Sequence, residues 1–113
     1  MNIENSKAQM RKGLLEFCIL LVLSRGEAYP SDIIGSLKAS GLDMPEGTLY
    51  PLLTRLKNEE LLQYRWEEST MGPPRKYFSI SDKGREFLKV LSASWDEITT
   101  AIQQLKQTPS NQH

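Results

Sequence analysis

The hydrophobic pattern of this chain changes its period twice, and this limits the folds that the chain can adopt. Before residue 60 and after Ser81, apolar residues recur at intervals of three and four, which is the spacing of an α-helix. Between these segments the interval is two, and a Gly-Pro-Pro turn interrupts the pattern. The alternating residues are Leu62, Tyr64 and Trp66 before the turn, and Phe78 and Ile80 after it. This arrangement predicts a β-hairpin with helices on both sides.

Three helices are predicted before the hairpin. The first covers Ser6 to Ser24 and becomes apolar on nearly every face, so it needs cover from more than one side. The second is a short amphipathic helix that begins at Pro30. In the third, Thr48 is the expected cap and Pro51 falls within the first turns, where its missing N–H costs least. The apolar face of this third helix consists of Leu49, Leu52, Leu53 and Leu56.

One more helix follows the hairpin, from Asp82 to about Gln107, with Ser81 as its cap. The order α-α-α-β-β-α predicts a mainly α (α+β) fold, the winged helix-turn-helix. We expect residues 1–81 to form a winged-helix DNA-binding domain and residues 82–107 to be a C-terminal dimerisation helix of the same domain. Residues 108–113 are expected to form a disordered tail.

A basic pair, Arg75 and Lys76, directly follows the Gly-Pro-Pro turn. In a winged helix the third helix enters the DNA major groove and the hairpin, or wing, reaches the DNA beside it. We therefore expect both cations to bind phosphates from a loop that the prolines stiffen and hold outward. The alternatives are an ordinary solvated pair next to a turn, or a polyproline ligand, which a loop pinned between two strands disfavours.

Composition narrows the function further. Fourteen cations balance fourteen anions, so the overall charge does not indicate a polyanionic partner. Cys18 is the only cysteine, which excludes an intrachain disulfide and favours a reducing cytoplasm. The apolar run around it is too short to span a bilayer. The only histidine is His113, and the acidic residues have no catalytic partner at a recognisable spacing. We therefore expect no enzyme activity, no catalytic residues, no cofactor and no metal.

The last predicted helix has an apolar seam, with intervals that alternate between three and four. This spacing is typical of a coiled coil rather than of a helix that lies on its own core. A domain of this size can hardly cover both the seam and the apolar first helix, so a second copy is expected to do so. The alternative is packing within one chain. The predicted dimer residues are Leu88, Leu91, Trp95, Ile98, Ile102 and Leu105.

Three segments resemble the PadR family of bacterial transcriptional regulators. They are Pro45-Glu-Gly-Thr-Leu-Tyr-Pro-Leu-Leu-Thr-Arg-Leu56, Trp66-Glu-Glu-Ser69 and Gly72-Pro-Pro-Arg-Lys-Tyr77. The resemblance covers roughly residues 8 to 107. Residues 28–32 differ from the usual Tyr-Gly-Tyr-Glu pattern of the family, so the resemblance implies no DNA contact for the second helix. The chain ends one helix after the wing and so resembles the small subfamily without a large C-terminal domain.

The resemblance implies a homodimeric repressor that binds double-stranded DNA at a pseudopalindromic operator. It also implies which residues contact DNA: Thr48, Tyr50 and Arg55 on the third helix, and Gly72, Arg75 and Lys76 on the wing. The alternative function is a winged-helix module for protein–protein interaction that does not bind DNA. Such a module has no need of cations on the wing.

Trp95 suggests an effector. Two indoles that face each other across a dimer axis tend to hold the helices apart and leave a gap lined by aromatic rings. Members of the small PadR subfamily bind flat, apolar and often cationic compounds through a tryptophan at this position. The resemblance therefore implies a planar aromatic ligand at Trp95, with Asp96 or Glu97 attracting a positive charge. The alternative is that Trp95 only fills the dimer core.

Overall fold

We describe residues 2–107 from a computed structural model of the chain. The elements are α1 (Ile3–Lys12), α2 (Leu15–Leu23), α3 (Pro30–Ala39), α4 (Glu46–Asn58), β1 (Leu62–Glu67), β2 (Arg75–Ile80) and α5 (Asp82–Lys106). This order confirms the predicted winged helix-turn-helix. The tail predicted for residues 108–113 lies outside the described residues.

The first predicted helix is in fact two helices, so the prediction of one helix over residues 6–24 was wrong. Asn2 caps α1, because its side chain accepts a hydrogen bond of 2.9 Å from the N–H of Asn5. At Gly13 the chain leaves the helical ladder, and the N–H of Leu14 bonds instead to the carbonyl of Arg11 at 2.8 Å. None of the α1 residues is buried, whereas α2 buries four. The break therefore separates an exposed polar helix from a core helix.

The α4 helix begins three residues earlier than predicted. Pro45 is its N-cap, and its carbonyl accepts the N–H of Thr48 at 2.9 Å, so Thr48 lies inside the first turn and is not the cap. Pro51 then lies in the second turn. It is exposed on the solvent side of the helix. There water can bond the carbonyl that proline leaves without a donor.

The core lies where α2, α3 and α4 meet the hairpin. Its fully buried side chains are all aliphatic: Ile19, Leu20, Leu23, Ile33, Leu49, Leu53 and Leu56. The strands pair antiparallel, with Leu62 opposite Ile80 and Tyr64 opposite Phe78. Ala28 extends the sheet by a single bridge to Phe78, through two hydrogen bonds of 3.0 and 2.9 Å. This bridge fixes the start of α3 beside the wing.

The α5 helix is tied to the hairpin at its first turn. The Ser81 side chain accepts from the N–H of Gly84 at 2.9 Å and donates to the carbonyl of Glu60 at 2.7 Å. Leu88 and Leu91 pack against the core of the same chain, whereas the apolar residues from Trp95 onward are exposed. Within residues 2–107, no helix has the length and apolar character needed to cross a membrane.

Candidate nucleic-acid interface

A cleft of about 350 Å³ separates α4 from the wing. The start of α3 closes one end of it. Most of the side chains that line it are polar or aromatic. The lining residues are Pro30, Ser31, Glu46, Tyr50, Leu53, Thr54, Trp66, Arg75, Lys76 and Phe78. The cleft therefore brings both predicted wing cations next to one side of α4. This is the helix predicted to enter the DNA major groove, and we call it the reading helix.

The predicted α4 contacts, Thr48, Tyr50 and Arg55, are all exposed, but they do not share one side of the helix. An α-helix turns about 100° per residue, so Tyr50 lies roughly 160° from Thr48 and roughly 140° from Arg55. Tyr50 and Thr54 line the cleft beside the wing. Thr48 lines a different cleft, beside the basic end of α1. The solvent face between these flanks carries small residues or proline.

Arg55 is held by acidic side chains. Its Nε lies 3.5 Å from a carboxylate oxygen of Glu16 on α2 and 3.4 Å from one of Glu59. Both pairs are exposed to solvent on the arginine side, where 65% of the side chain remains accessible. Two carboxylates thus compensate the charge of Arg55, so this residue offers less attraction to a phosphate than a free cation would.

The two wing cations were predicted to lie on the loop. In the structure they are instead the first two residues of β2. Arg75 folds back toward α3: its guanidinium carbon lies 3.8 Å from the ring centroid of Tyr29, and its Nη2 donates to Ser31 Oγ at 3.1 Å. Lys76 lies over Tyr64 and Trp66, with its Nζ 4.5 and 5.5 Å from the two ring centroids. Aromatic rings, rather than the two prolines, position both cations.

Gly72 lies in the turn between the strands, where a Cβ would meet no atom within 4 Å. The turn is held locally by the Ser69 hydroxyl, which accepts the N–H of Met71 at 3.2 Å. Gly72 is not among the residues that line the cleft between α4 and the wing. Its predicted role at the DNA stays a prediction.

Sequence reasoning missed Tyr29, Ser31 and Trp66. Tyr29 and Ser31 belong to residues 28–32, the segment that differs from the family pattern. Both nevertheless support Arg75. Trp66 is 60% exposed at the cleft rim, opposite Lys76 in the hairpin. The alternation of β1 already placed Trp66 on the side of Tyr64, so its position could have been read from the sequence.

A second cleft, of about 210 Å³, lies between the start of α2 and the middle of α5. The ring centroids of Phe17 and Trp95 lie 6.3 Å apart, and the two rings are tilted by 47°. Ile98 and Phe87 complete its apolar wall, and Glu16 lies at its edge. The chain alone therefore leaves Trp95 partly open, at 36% exposure.

Two further observations concern reactive groups. Burial raises the pKa of the Cys18 thiol above its ordinary value, so that the neutral thiol predominates at neutral pH. Among residues 2–107, no three His, Cys, Asp or Glu side chains are placed to hold a metal ion.

These elements define the class of the protein as a winged helix with an additional long helix. Residues 19–90 match the model of the transcriptional regulator PadR-like family. This match covers well over half of the chain, and the chain belongs to the PadR-like family of transcriptional regulators.

Solved structures agree with this assignment. A PadR-like transcription factor from Bacteroides fragilis is 56% identical, with a TM-score of 0.77 over 89% of this chain and 98% of that chain. A PadR-like regulator from Bacillus cereus is 40% identical, with a TM-score of 0.80 over 88% and 98% of the two chains. Bacillus subtilis PadR, solved in complex with operator DNA, shares the fold at 23% identity and a TM-score of 0.64, over 69% of this chain and 46% of that chain.

Proposed function

We propose that this regulator binds duplex DNA in a sequence-specific manner through the cleft between α4 and the wing. The observation that carries the proposal is the position of Arg75 and Lys76, two cations at the rim of a cleft whose other wall is the reading helix. Phosphates beside the major groove are the natural ligands of such cations. The operator complex of Bacillus subtilis PadR supports the assignment by analogy of fold.

The regulator acts as a homodimer on a pseudopalindromic operator, and its role there is repression. The exposed part of the α5 seam supports the dimer. Ile98, Ile102 and Leu105 are 47%, 44% and 83% exposed in the single chain, a surface that a second α5 would cover. Leu88 and Leu91 already pack inside the chain, so the inter-chain contact is centred farther along the helix.

The test is selection of DNA fragments from a random pool by the purified protein, followed by titration of the selected and a scrambled duplex at several salt concentrations. We expect a two-fold symmetric consensus and an affinity that falls steeply with salt. A protein-interaction module would give no consensus and would pass through heparin and DNA-cellulose without retention.

A planar aromatic effector is the finer part of the proposal. The cleft at Phe17 and Trp95 supports it, because two rings already form an apolar wall that a flat molecule can extend. Glu16 connects this cleft to the reading helix, since its carboxylate lies at the cleft edge and also pairs with Arg55. A bound cation that attracts Glu16 would release Arg55, and repression would change with it.

Titration with planar cationic dyes tests the effector site through tryptophan emission. A Trp66→Phe variant isolates the signal of Trp95, and a Trp95→Phe variant gives the background from Trp66. We expect dye to quench Trp95 and to weaken operator binding. If Trp95→Ala binds the dye as tightly as the wild type, the indole only fills the core. The DNA-binding proposal then stands without its effector.

A further inference from the structure

Four side chains form a continuous stack between the start of α3 and the outer face of the wing. The rings of Tyr29 and Tyr77 stack with centroids 4.5 Å apart and planes inclined by 15°. Arg75 covers the free face of Tyr29 at 3.8 Å, and Arg65 covers Tyr77 at 4.7 Å. The order Arg75, Tyr29, Tyr77, Arg65 therefore places one guanidinium at each end of a pair of rings.

The two ends of this stack differ in charge. Arg65 donates to the Glu27 carboxylate at 3.1 Å and also to Glu67, and these hydrogen bonds raise its pKa further above its ordinary value. Glu67 lies opposite Arg75 in the strand ladder, yet its carboxylate bonds to Arg65. Within residues 2–107, no carboxylate pairs with Arg75. One end of the stack is thus neutralised, and the other keeps its positive charge at the cleft.

The ring under Arg75 is itself fixed from several directions. Tyr29 is the N-cap residue of α3, and its N–H donates to the Asp32 carboxylate at 3.1 Å. The preceding residue, Ala28, is bonded to Phe78 of β2 on both sides of its backbone. Tyr77 then covers the second face of the ring. The Tyr29 ring is therefore a rigid support rather than a mobile surface side chain.

We propose that Tyr29 is a positioning residue for DNA binding, which holds the Arg75 guanidinium at the cleft in the orientation that binds a backbone phosphate. This inference rests on the proposed function. A free arginine side chain loses rotamer freedom when it binds, whereas a stacked one has already lost most of it. Stacking leaves the edge N–H groups of the guanidinium available to phosphate oxygens. Ser31 fixes one edge, and the remaining donors serve the phosphate.

The experiment compares operator affinity and its salt dependence for Tyr29→Leu and Tyr29→Phe, each in the wild-type and the Arg75→Ala background. We expect Tyr29→Leu to weaken binding roughly two- to fivefold, the range of an exposed cation–π contact, with a smaller salt slope. Tyr29→Phe keeps the ring and should bind as the wild type does. Tyr29→Leu should have no further effect when Arg75 is already alanine.

Three controls make the outcome specific. Arg75→Lys keeps the charge but loses the planar group, so it should weaken binding about as much as Tyr29→Leu, and it does not depend on Tyr29→Leu being stable. Lys83→Ala removes a cation that lies outside the stack and is already paired with Glu60, and should leave the salt slope unchanged. In NMR spectra of the protein alone, the Arg75 side-chain protons should be shifted upfield by the ring in the wild type and in Tyr29→Phe.

An equal loss on Tyr29→Leu in both backgrounds, full affinity in Arg75→Lys, or a loss in Tyr29→Phe that matches Tyr29→Leu would each overturn the positioning role. The proposed function survives any of these results. A wild-type chain whose binding to duplex DNA shows no salt dependence would instead overturn the proposed function, and this inference with it.

Discussion

Two aromatic clusters of this chain differ in how completely their own chain covers them. In the wing cluster, formed by Tyr29 and Tyr77, both outer ring faces are covered by arginines at 3.8 and 4.7 Å. In the α5 cluster, formed by Phe17 and Trp95, the rings are 6.3 Å apart and tilted, and the indole borders an open cleft. The wing cluster is complete in one copy, whereas the α5 cluster is not.

The neighbours of the two clusters extend this contrast. At the wing cluster the side chains that pair with the two arginines are hydroxylic or charged, namely Ser31, Glu27 and Glu67, and water can solvate them where they are exposed. The cleft at the α5 cluster is lined mainly by apolar side chains, with Glu16 at its edge, and Ile98 and Phe87 remain 47% and 39% exposed. A surface of the first kind suits a hydrated polyanion. A surface of the second kind suits a second copy or an apolar ligand.

Ile98→Asp should have the largest effect of the variants proposed here. It tests whether a second chain covers the α5 cluster. In a dimer the new carboxylate would be buried without a partner, which costs several kcal/mol, roughly. We expect a monomer by sedimentation equilibrium and, because two half-sites need two linked reading helices, a loss of operator binding. Thr100→Asp, on the other side of α5, is the matched control and should remain dimeric. A folded Ile98→Asp dimer with wild-type affinity would show that this surface is not the interface.

Gly84→Ala tests the joint between the two regions. A Cβ at Gly84 would collide with the carbonyl oxygen of Leu61 and would lie 2.8 Å from Ile80 Cγ1. Overpacking of this kind costs about 1–3 kcal/mol. Alanine gains about 1 kcal/mol over glycine in a helix, so a net loss of about 1 kcal/mol, and at most about 2 kcal/mol, is expected.

The measurement is urea unfolding, and Gly35→Ala is the control, because a Cβ at Gly35 meets nothing within 4 Å. That substitution should raise the stability by about 0.5–1 kcal/mol. If Gly84→Ala is also stabilising, the close approach of α5 to Leu61 and Ile80 is not a constraint, and the angle of α5 to the wing is free to vary.

Arg75→Ala combined with Lys76→Ala tests the charged side of the comparison. If both cations neutralise phosphates, the plot of log affinity against log salt should become less steep by about one to two units. Operator and random duplexes should lose affinity about equally, because phosphate contacts carry no base information. Lys83→Ala with Lys89→Ala removes the same formal charge from positions already paired with acids, and should change the slope less. An unchanged slope in the wing variant would remove both residues from the interface.

The fold was predictable because each element carries its own periodic signal. The alternation at Leu62, Tyr64 and Trp66 identified β1, and the recurring leucines identified α4. Two boundaries were wrong for local reasons. The break at Gly13 depends on α1 having no buried side chain, and the start of α4 depends on the Pro45 carbonyl accepting from Thr48. Neither fact is expressed in the hydrophobic pattern.

The candidate site was only partly predictable. Arg75 and Lys76 were identified from their place beside the Gly-Pro-Pro turn. The support of Lys76 by Trp66 could have been read from the alternation of β1. The support of Arg75 could not be predicted, since Tyr29 is 46 positions before it in the chain and is brought to it by the bridge from Ala28 to Phe78. The pairing of Arg55 with Glu16 is likewise a contact between separate helices. A helical-face argument finds exposed residues but does not show which of them are already neutralised.

The smallest effect concerns the two flanks of α4, and it separates a reading residue from a structural one. Tyr50 is 49% exposed and lines the cleft with both wing cations, whereas Arg55 points away from the cleft toward Glu16 and Glu59. If DNA bases are recognised in this cleft, the Tyr50 hydroxyl is the group that can hydrogen-bond to a base. Tyr50→Phe removes that hydroxyl and keeps the ring, so it should lower the preference for operator over random duplex. The cost of one lost base contact is about 1 kcal/mol, or about fivefold. Arg55→Gln should change this preference by less than twofold, because an exposed pair with acids contributes little. Competition titrations with the two duplexes at one salt concentration measure both ratios.

The opposite ranking, with a large effect at Arg55 and none at Tyr50, would place the reading face on the α2 side of α4. The ion pair with Glu16 would then have to open before DNA binds, which links the reading helix to the Trp95 cleft more directly than the wing does.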